Sequence, residues 1–336
     1  MRINRLAVSA LASILIFGVP TARAEMSEIK IAQGLGIGFL PMYVMQDYKL
    51  VEKYAKREKL GDLKVDWVKI SGGTMMNDGL LSGSLQIASG GITPLIVAWA
   101  KTAGTPQEMK GVSTFSSTPI YLVTRNPAVK KIEDFTDKDK IAMPAAKLAP
   151  QSILLQMAAE KAYGVGHQNK FDSLTVSMAH PDATAALLSG ASEVDSHFST
   201  APFMFRELAD PAIHIVLSAD DVLGGPSVFG VMWTTTEFYK TNPKIYSAIV
   251  SALDEAIAII NKDKVAAARS YLKIFKSKES VQEIVDILNK PGMQFSTTPN
   301  AISKYADFMY RTGTIKKKPV SWKDMFLPNN DRLSGN

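Results

Sequence analysis

An α/β fold of two similar lobes is predicted from three features of this 336-residue chain. Short β-branched runs alternate with amphipathic stretches, the order expected of a parallel sheet flanked by helices. The alternation runs once over 28–117 and again over 118–221. Polar breaks at Ser116–Pro119 and about Ser218–Pro226 then mark two crossings between the units. Lobe 1 is therefore expected at 28–117 plus 222–336, with C-terminal helices, and lobe 2 at 118–221. Two crossings make a hinge, with a cleft between the lobes.

Each element has its own local signal. Ile29–Ala32 reads as a strand, Gly34, Gly36 and Gly38 as a loop, and Pro41 as the first turn of a helix to Tyr48. Leu63–Ile70 is the next strand. Ser71-Gly72-Gly73 turns the chain, and Thr74 is expected to cap a helix over 75–81. Leu85–Ala88 is a short strand, followed by a Gly90-Gly91 turn and a helix that Thr93 caps and Pro94 starts. Val112–Phe115 and Ile120–Thr124 are strands on either side of the first break. The second unit repeats the scheme with strands near 140–143, 174–178, 194–198 and 213–217. Its helices are expected over 151–163, behind Pro150, and from Pro181 to Leu188. After Gly224-Gly225-Pro226 a strand over 228–233 leads to a helical tail. There Ile245, Ile249, Leu253, Ile257 and Ile260 form one apolar stripe.

The first residues are patterned for export. Arg2 and Arg5 precede an uncharged apolar run, Leu6–Val19, and Ala22-Arg23-Ala24 supplies small residues two apart. That is a signal-peptide layout with cleavage expected after Ala24. The run is about 14 residues long, short of the roughly 20 that span a bilayer. The expected location is periplasmic. Of the net +6, Arg2, Arg5 and Arg23 belong to this leader. The surplus left over so long a chain is too mild to argue for nucleic acid. There is no cysteine, which removes disulfides, thiol nucleophiles and Cys-ligated zinc.

The turns at the carboxyl ends of the strands share one chemistry. Gly34–Pro41, Ser71–Thr74, Gly90–Pro94, Pro144–Ser152 and Ala179–Asp182 are rich in Gly, Ser, Thr or Pro, and each feeds a helix. Helix N-termini carry free N–H groups and partial positive charge, so several aimed at one cleft would hold a small oxyanion. Any one such turn is an ordinary cap; the set is what points to binding. Lys147 would add the one formal charge. His180 and His197 would donate hydrogen bonds, and Phe39, Met42 and Tyr43 would cover an apolar part of the ligand.

Gly38-Phe39-Leu40-Pro41-Met42-Tyr43, Gly79-Leu80-Leu81-Ser82-Gly83 and Ile87-Ala88-Ser89-Gly90-Gly91 form a recognisable series. The helix at Gln151, Pro181-Asp182-Ala183 with 185–190, and Gly224-Gly225 continue it. Over nearly all of its length after the leader the chain resembles the periplasmic substrate-binding proteins of nitrate/sulfonate/taurine-type ABC importers. That family also holds pyrimidine-precursor binders. The resemblance implies a type II periplasmic-binding fold with the ligand between its lobes, and the chain is expected to be a monomer. It also implies delivery of a small solute to a membrane permease driven by a cytoplasmic ATPase. By position it places Gln33, Phe39, Pro41, Gly73, Thr74, Ser89, Gly90, Thr118, Lys147, Gln151, His180, His197 and Gly225 in the ligand cleft. No arginine falls in the cleft turns, though arginine is the usual partner of a planar or tetrahedral anion. The solute is thus left open between sulfonate or nitrate and a pyrimidine, aromatic or carboxylate.

No catalytic constellation, metal site or cofactor motif is expected. A Gly-x-Ser-x-Gly elbow is absent, and Phe39 replaces the last glycine of a dinucleotide loop begun at Gly34. His167, His180, His197 and His214 show no local metal-ligand spacing. Asp182 and Asp195 are the acids from which an enzyme of related fold would draw a pair. A sensor module would present the same cleft.

Overall fold

The computed structural model describes residues 24–335, so the leader, apart from Ala24, lies outside the described residues. The first run comprises β1 (Glu28–Gln33), α1 (Leu40–Asp47), α2 (Leu50–Arg57), β2 (Lys64–Lys69), α3 (Gly73–Leu81), β3 (Ala88–Gly90), α4 (Ile92–Thr102) and β4 (Met109–Ser116). A second run follows the first break: β5 (Ile120–Thr124), β6 (Ile141–Met143), α5 (Pro150–Tyr163), β7 (Thr175–Ser177), α6 (His180–Ser189), β8 (Ser196–Thr200), α7 (Phe203–Glu207) and β9 (His214–Ser218). α8 (Ala219–Leu223) leads back to β10 (Gly230–Thr235). The tail is α9 (Thr236–Thr241), α10 (Pro243–Lys262), α11 (Lys264–Phe275), α12 (Val281–Leu288) and α13 (Ile302–Arg311).

The two sheets have one plan. In the second, the order is β7-β6-β8-β5-β9, with β7, β6 and β8 parallel and β5 antiparallel to both its neighbours. In the first, β2 pairs parallel with β1, and β1 reaches the β3 segment through a parallel bridge, Ile31 opposite Ile87. β10 then lies antiparallel between β3 and β4, giving β2-β1-β3-β10-β4. In each sheet the antiparallel strand is the one the chain enters after a crossing.

Local chemistry accounts for the elements. Ile29 and Ile31 are buried on β1 while Glu28 and Lys30 face water. Pro41, Pro150 and Pro181 sit in first helical turns, where a missing N–H breaks no helical bond. The stripe on α10 buries Ile245, Ile249, Leu253 and Ile260 against α1 and α2.

Several details differ from expectation. α2, α7, α8 and α9 are not among the expected helices; all are short, and half of α2 is charged. Gly72, not Thr74, is the N-cap of α3, and Gly91, not Thr93, that of α4. Backbone at these turns starts each helix early, which frees both threonine hydroxyls from capping.

Candidate functional site

A narrow cavity of about 80 Å³ lies between the two sheets. The first sheet's side supplies Gly34, Leu35, Phe39, Ile70, Ser71, Gly72, Gly73, Met76, Gly90, Gly91, Pro94 and Phe229. Pro144, Ala145, Leu148, Ala149, Pro150, Gln151 and His180 face them. The starts of α3, α4, α5 and α6 are all in this lining, so four helix N-termini converge on one space. The walls are otherwise apolar. No lining residue carries a formal charge at neutral pH, and Ser71, Gln151 and His180 are the polar side chains.

The walls meet closely. Thr93 Oγ1 donates to the Leu148 carbonyl at 2.5 Å. A β-carbon on Gly91 would stand 2.5 Å from Pro150 Cγ, so only glycine admits this approach. Ile37 N–H donates to the Ala201 carbonyl at 3.2 Å, beside Gly36, whose φ of 106° favours glycine.

Of the predicted site residues, Phe39, Gly73, Gly90, Gln151 and His180 line the cavity. Phe39 is held edge-on against Phe229, with ring centroids 5.6 Å apart. The others sit elsewhere. Lys147 points to water from a loop whose neighbours Ala145 and Leu148 form the wall; an exposed ammonium avoids the cost of burial. Thr74 is exposed on α3. Ser89 ties β3 to β1 by donating to the Ala32 carbonyl. Gln33 donates to Gln46, and Pro41 packs inside the first turn of α1. Gly225 belongs to the return crossing. Met42 and Tyr43 are fully buried, and the Tyr43 hydroxyl donates to the Gly34 carbonyl.

Thr118 is buried at the first crossing, and its hydroxyl has no protein partner. The hydroxyls of Ser117, Ser199 and Thr200 share that condition. Thr200 pairs in register with Ile120, two positions beyond Thr118. Buried hydroxyls are normally satisfied, so these four stand out.

His197 lies one layer behind His180. His180 Nδ1 is 2.8 Å from His197 Nε2, and His197 Nδ1 is 2.6 Å from Glu207 Oε1. Thr184 Oγ1 donates to the same oxygen at 2.6 Å. Gln151 Nε2 is 3.5 Å from His180 Nε2, at the limit of a hydrogen bond. Phe203 stacks on the His180 ring. Burial, and then repulsion from His197, hold the His180 imidazole well below its ordinary pKa. Glu207, Phe229 and Met76 were not legible as site residues: each reaches the site through tertiary packing, with no local motif.

The sheet plan and the cleft define a periplasmic-binding-protein fold of mixed α/β type. The NMT1-like family model matches residues 24–275, and the chain belongs to that family. Solved structures agree on the fold. The aliphatic sulphonate binding protein SsuA of Escherichia coli is 20% identical with a TM-score of 0.63, covering 89% of this chain and 98% of that one. The alkanesulfonate-binding protein SsuA of Xanthomonas axonopodis pv. citri, bound to MOPS, gives 16% and 0.67, covering 93% and 100%. The periplasmic nitrate-binding protein NrtA of Synechocystis gives 15% and 0.65, covering 93% and 86%. These neighbours are binding proteins rather than enzymes. No curated protein sequence matches the chain.

Proposed function

We propose that this chain is the extracytoplasmic substrate-binding component of an ABC importer, exported by its leader and delivering solute to a permease. The carrying observation is the uncharged cavity onto which four helix N-termini converge, with His180 and Gln151 as its hydrogen-bonding side chains. The N-termini suit an oxyanion head, and Phe39, Phe229, Leu35 and Met76 suit an apolar body. The solute is therefore a small sulfonate or carboxylate with an alkyl or aryl group. The lobes divide at the two crossings, 117/118 and 221/222, and close on the solute because only the closed form offers it both walls.

Thermal-shift measurement on residues 25–336 tests this with nitrate, methanesulfonate, benzenesulfonate, taurine, benzoate and an uncharged pyrimidine. A ligand at about 100 times its Kd adds about 2.7 kcal/mol of stability. Benzenesulfonate or benzoate is expected to shift the transition most. A response to nitrate alone would remove the apolar-body argument, and one to the pyrimidine alone the oxyanion argument. Silence from all six, repeated after unfolding and refolding to strip carried-over solute, would sink the binding reading.

A further inference from the structure

Behind the cavity wall stands a chain of buried groups that solute binding alone does not explain. It runs Gln151, His180, His197, Glu207, with Thr184 at its far end. His197 and Glu207 have side chains 0% exposed. Glu207 Oε2 has no partner at all. A buried carboxylate needs a compensating charge, and no lysine or arginine is hydrogen-bonded to this one among the described residues.

The donors and acceptors in the chain admit two arrangements. A carboxylate only accepts, so with Glu207 ionised and His197 neutral, His197 Nδ1 carries the proton and Nε2 is bare. His180 Nδ1 must then donate to it, leaving His180 Nε2 bare toward the cavity. Adding one proton to the His197–Glu207 pair reverses the chain. Held on either side of that 2.6 Å contact, the proton makes His197 Nε2 a donor. His180 Nδ1 must then accept, and its own hydrogen moves to Nε2. The Gln151 amide turns to match.

We infer that His197 and Glu207 are positioning residues for a proton-coupled reader. One proton taken from solvent by this pair converts His180 Nε2 from acceptor to donor, and an oxyanion solute binds together with that proton. Charge points the same way. Without the proton, an anion in the cavity faces the Glu207 carboxylate with no cation in the lining. With it, the pair is neutral. His180 itself stays uncharged, in keeping with its depressed basicity.

Other charged groups on the packed elements are engaged elsewhere. Asp182 on α6 is exposed. Asp195, the residue before β8, takes hydrogen bonds from Ser196 and the Lys140 backbone and lies beside Asp139. Arg206 on α7 pairs with Glu279, beside Lys276, Lys278 and Glu283. Arg125, next after β5, pairs with Asp210, and Tyr121 on β5 lies near Asp220 and Asp221.

The coupling to solute rests on the proposed function, but the relay itself is testable without solute. Long-range proton–nitrogen NMR on histidine-labelled protein reads both tautomers between about pH 5 and 8. His180 is expected to stay neutral and change from the Nδ1–H to the Nε2–H form as His197 Nε2 gains its proton, in one shared titration. Glu207→Gln should lower that midpoint by at least about one pH unit. Thr184→Val keeps the carboxylate and should raise it, which covers failure of the glutamine variant to fold. A single His180 tautomer throughout, an imidazolium at His180, separate midpoints, or a Thr184→Val midpoint unchanged would each overturn the relay. Calorimetry with benzenesulfonate, a strong acid that cannot bring a proton, completes the test. Runs in phosphate and Tris above the midpoint should show uptake approaching one proton. Tight binding without uptake would overturn the coupling. If benzenesulfonate does not bind, its place as solute falls, while the NMR result still decides the relay.

Discussion

His180 sits where a wall of the cavity and a buried polar chain share one ring, and its surroundings forbid a charge. This has a consequence for stability. In the unfolded chain an imidazole takes up a proton as pH falls through about 6.5, whereas folded His180 remains neutral well below that value. The unfolded state then binds the extra proton, so His180 lowers stability as the solution is acidified from about pH 6.5. His180→Gln should flatten the fall of Tm between about pH 6.5 and 5, and an unchanged slope would place the acid sensitivity elsewhere. Lys147→Ala gives the complementary result. The side chain is exposed and outside the cavity lining, so affinity for benzenesulfonate should stay within about twofold, less than about 0.5 kcal/mol. A tenfold loss would mean that Lys147 swings into the cleft. At this scale the sequence reading named turns that line the cavity, but not which of their side chains face it. A loop of Pro, Ala, Lys and Leu does not say which member faces inward, and Glu207 is brought beneath His197 by a packing of α7 that no periodicity announces.

Helix starts, more than strands, shape the site. Gly91 has a φ of −72°, which alanine adopts without strain, yet its β-carbon would collide with Pro150 across the cleft. Gly91→Ala should therefore hold the lobes apart while leaving each intact. Affinity is expected to fall about tenfold, roughly 1.4 kcal/mol, with little change in the Tm of the free protein. Thr93→Val removes the Thr93–Leu148 hydrogen bond, a loss of about 0.5–1.5 kcal/mol to the closed form. Equal affinity in both variants, by calorimetry, would show that these contacts do not report closure. The elements themselves were largely legible. β5 spans Ile120–Thr124, as its β-branched run predicts, and Pro150 and Pro181 announce α5 and α6. Where the reading stopped short, at α2 and α7 to α9, the helices are of eight residues or fewer. Such helices owe their existence to tertiary packing more than to their own sequence.

For the whole molecule, the equivalence of the two sheets matters more than any one contact. Each inserts an antiparallel strand, β10 or β5, between its third and fourth parallel strands. α13 packs against α4 and α5, and Arg311 holds Glu160 through two hydrogen bonds at 2.6 and 2.8 Å. Lys161 donates to the Asp221 carbonyl and Lys304 to that of Leu223, both at the return crossing. The Arg311–Glu160 pair is partly exposed, and such ion pairs contribute at most about 1 kcal/mol. A compact chain of this length has a radius of gyration of about 20 Å. Small-angle scattering of the free protein should give a larger value, and saturation with the solute found by thermal shift should bring it down toward that figure. If the two curves superimpose while calorimetry shows binding, the lobes are preset, and the Gly91 and Thr93 variants must act on the cavity wall and not on a hinge.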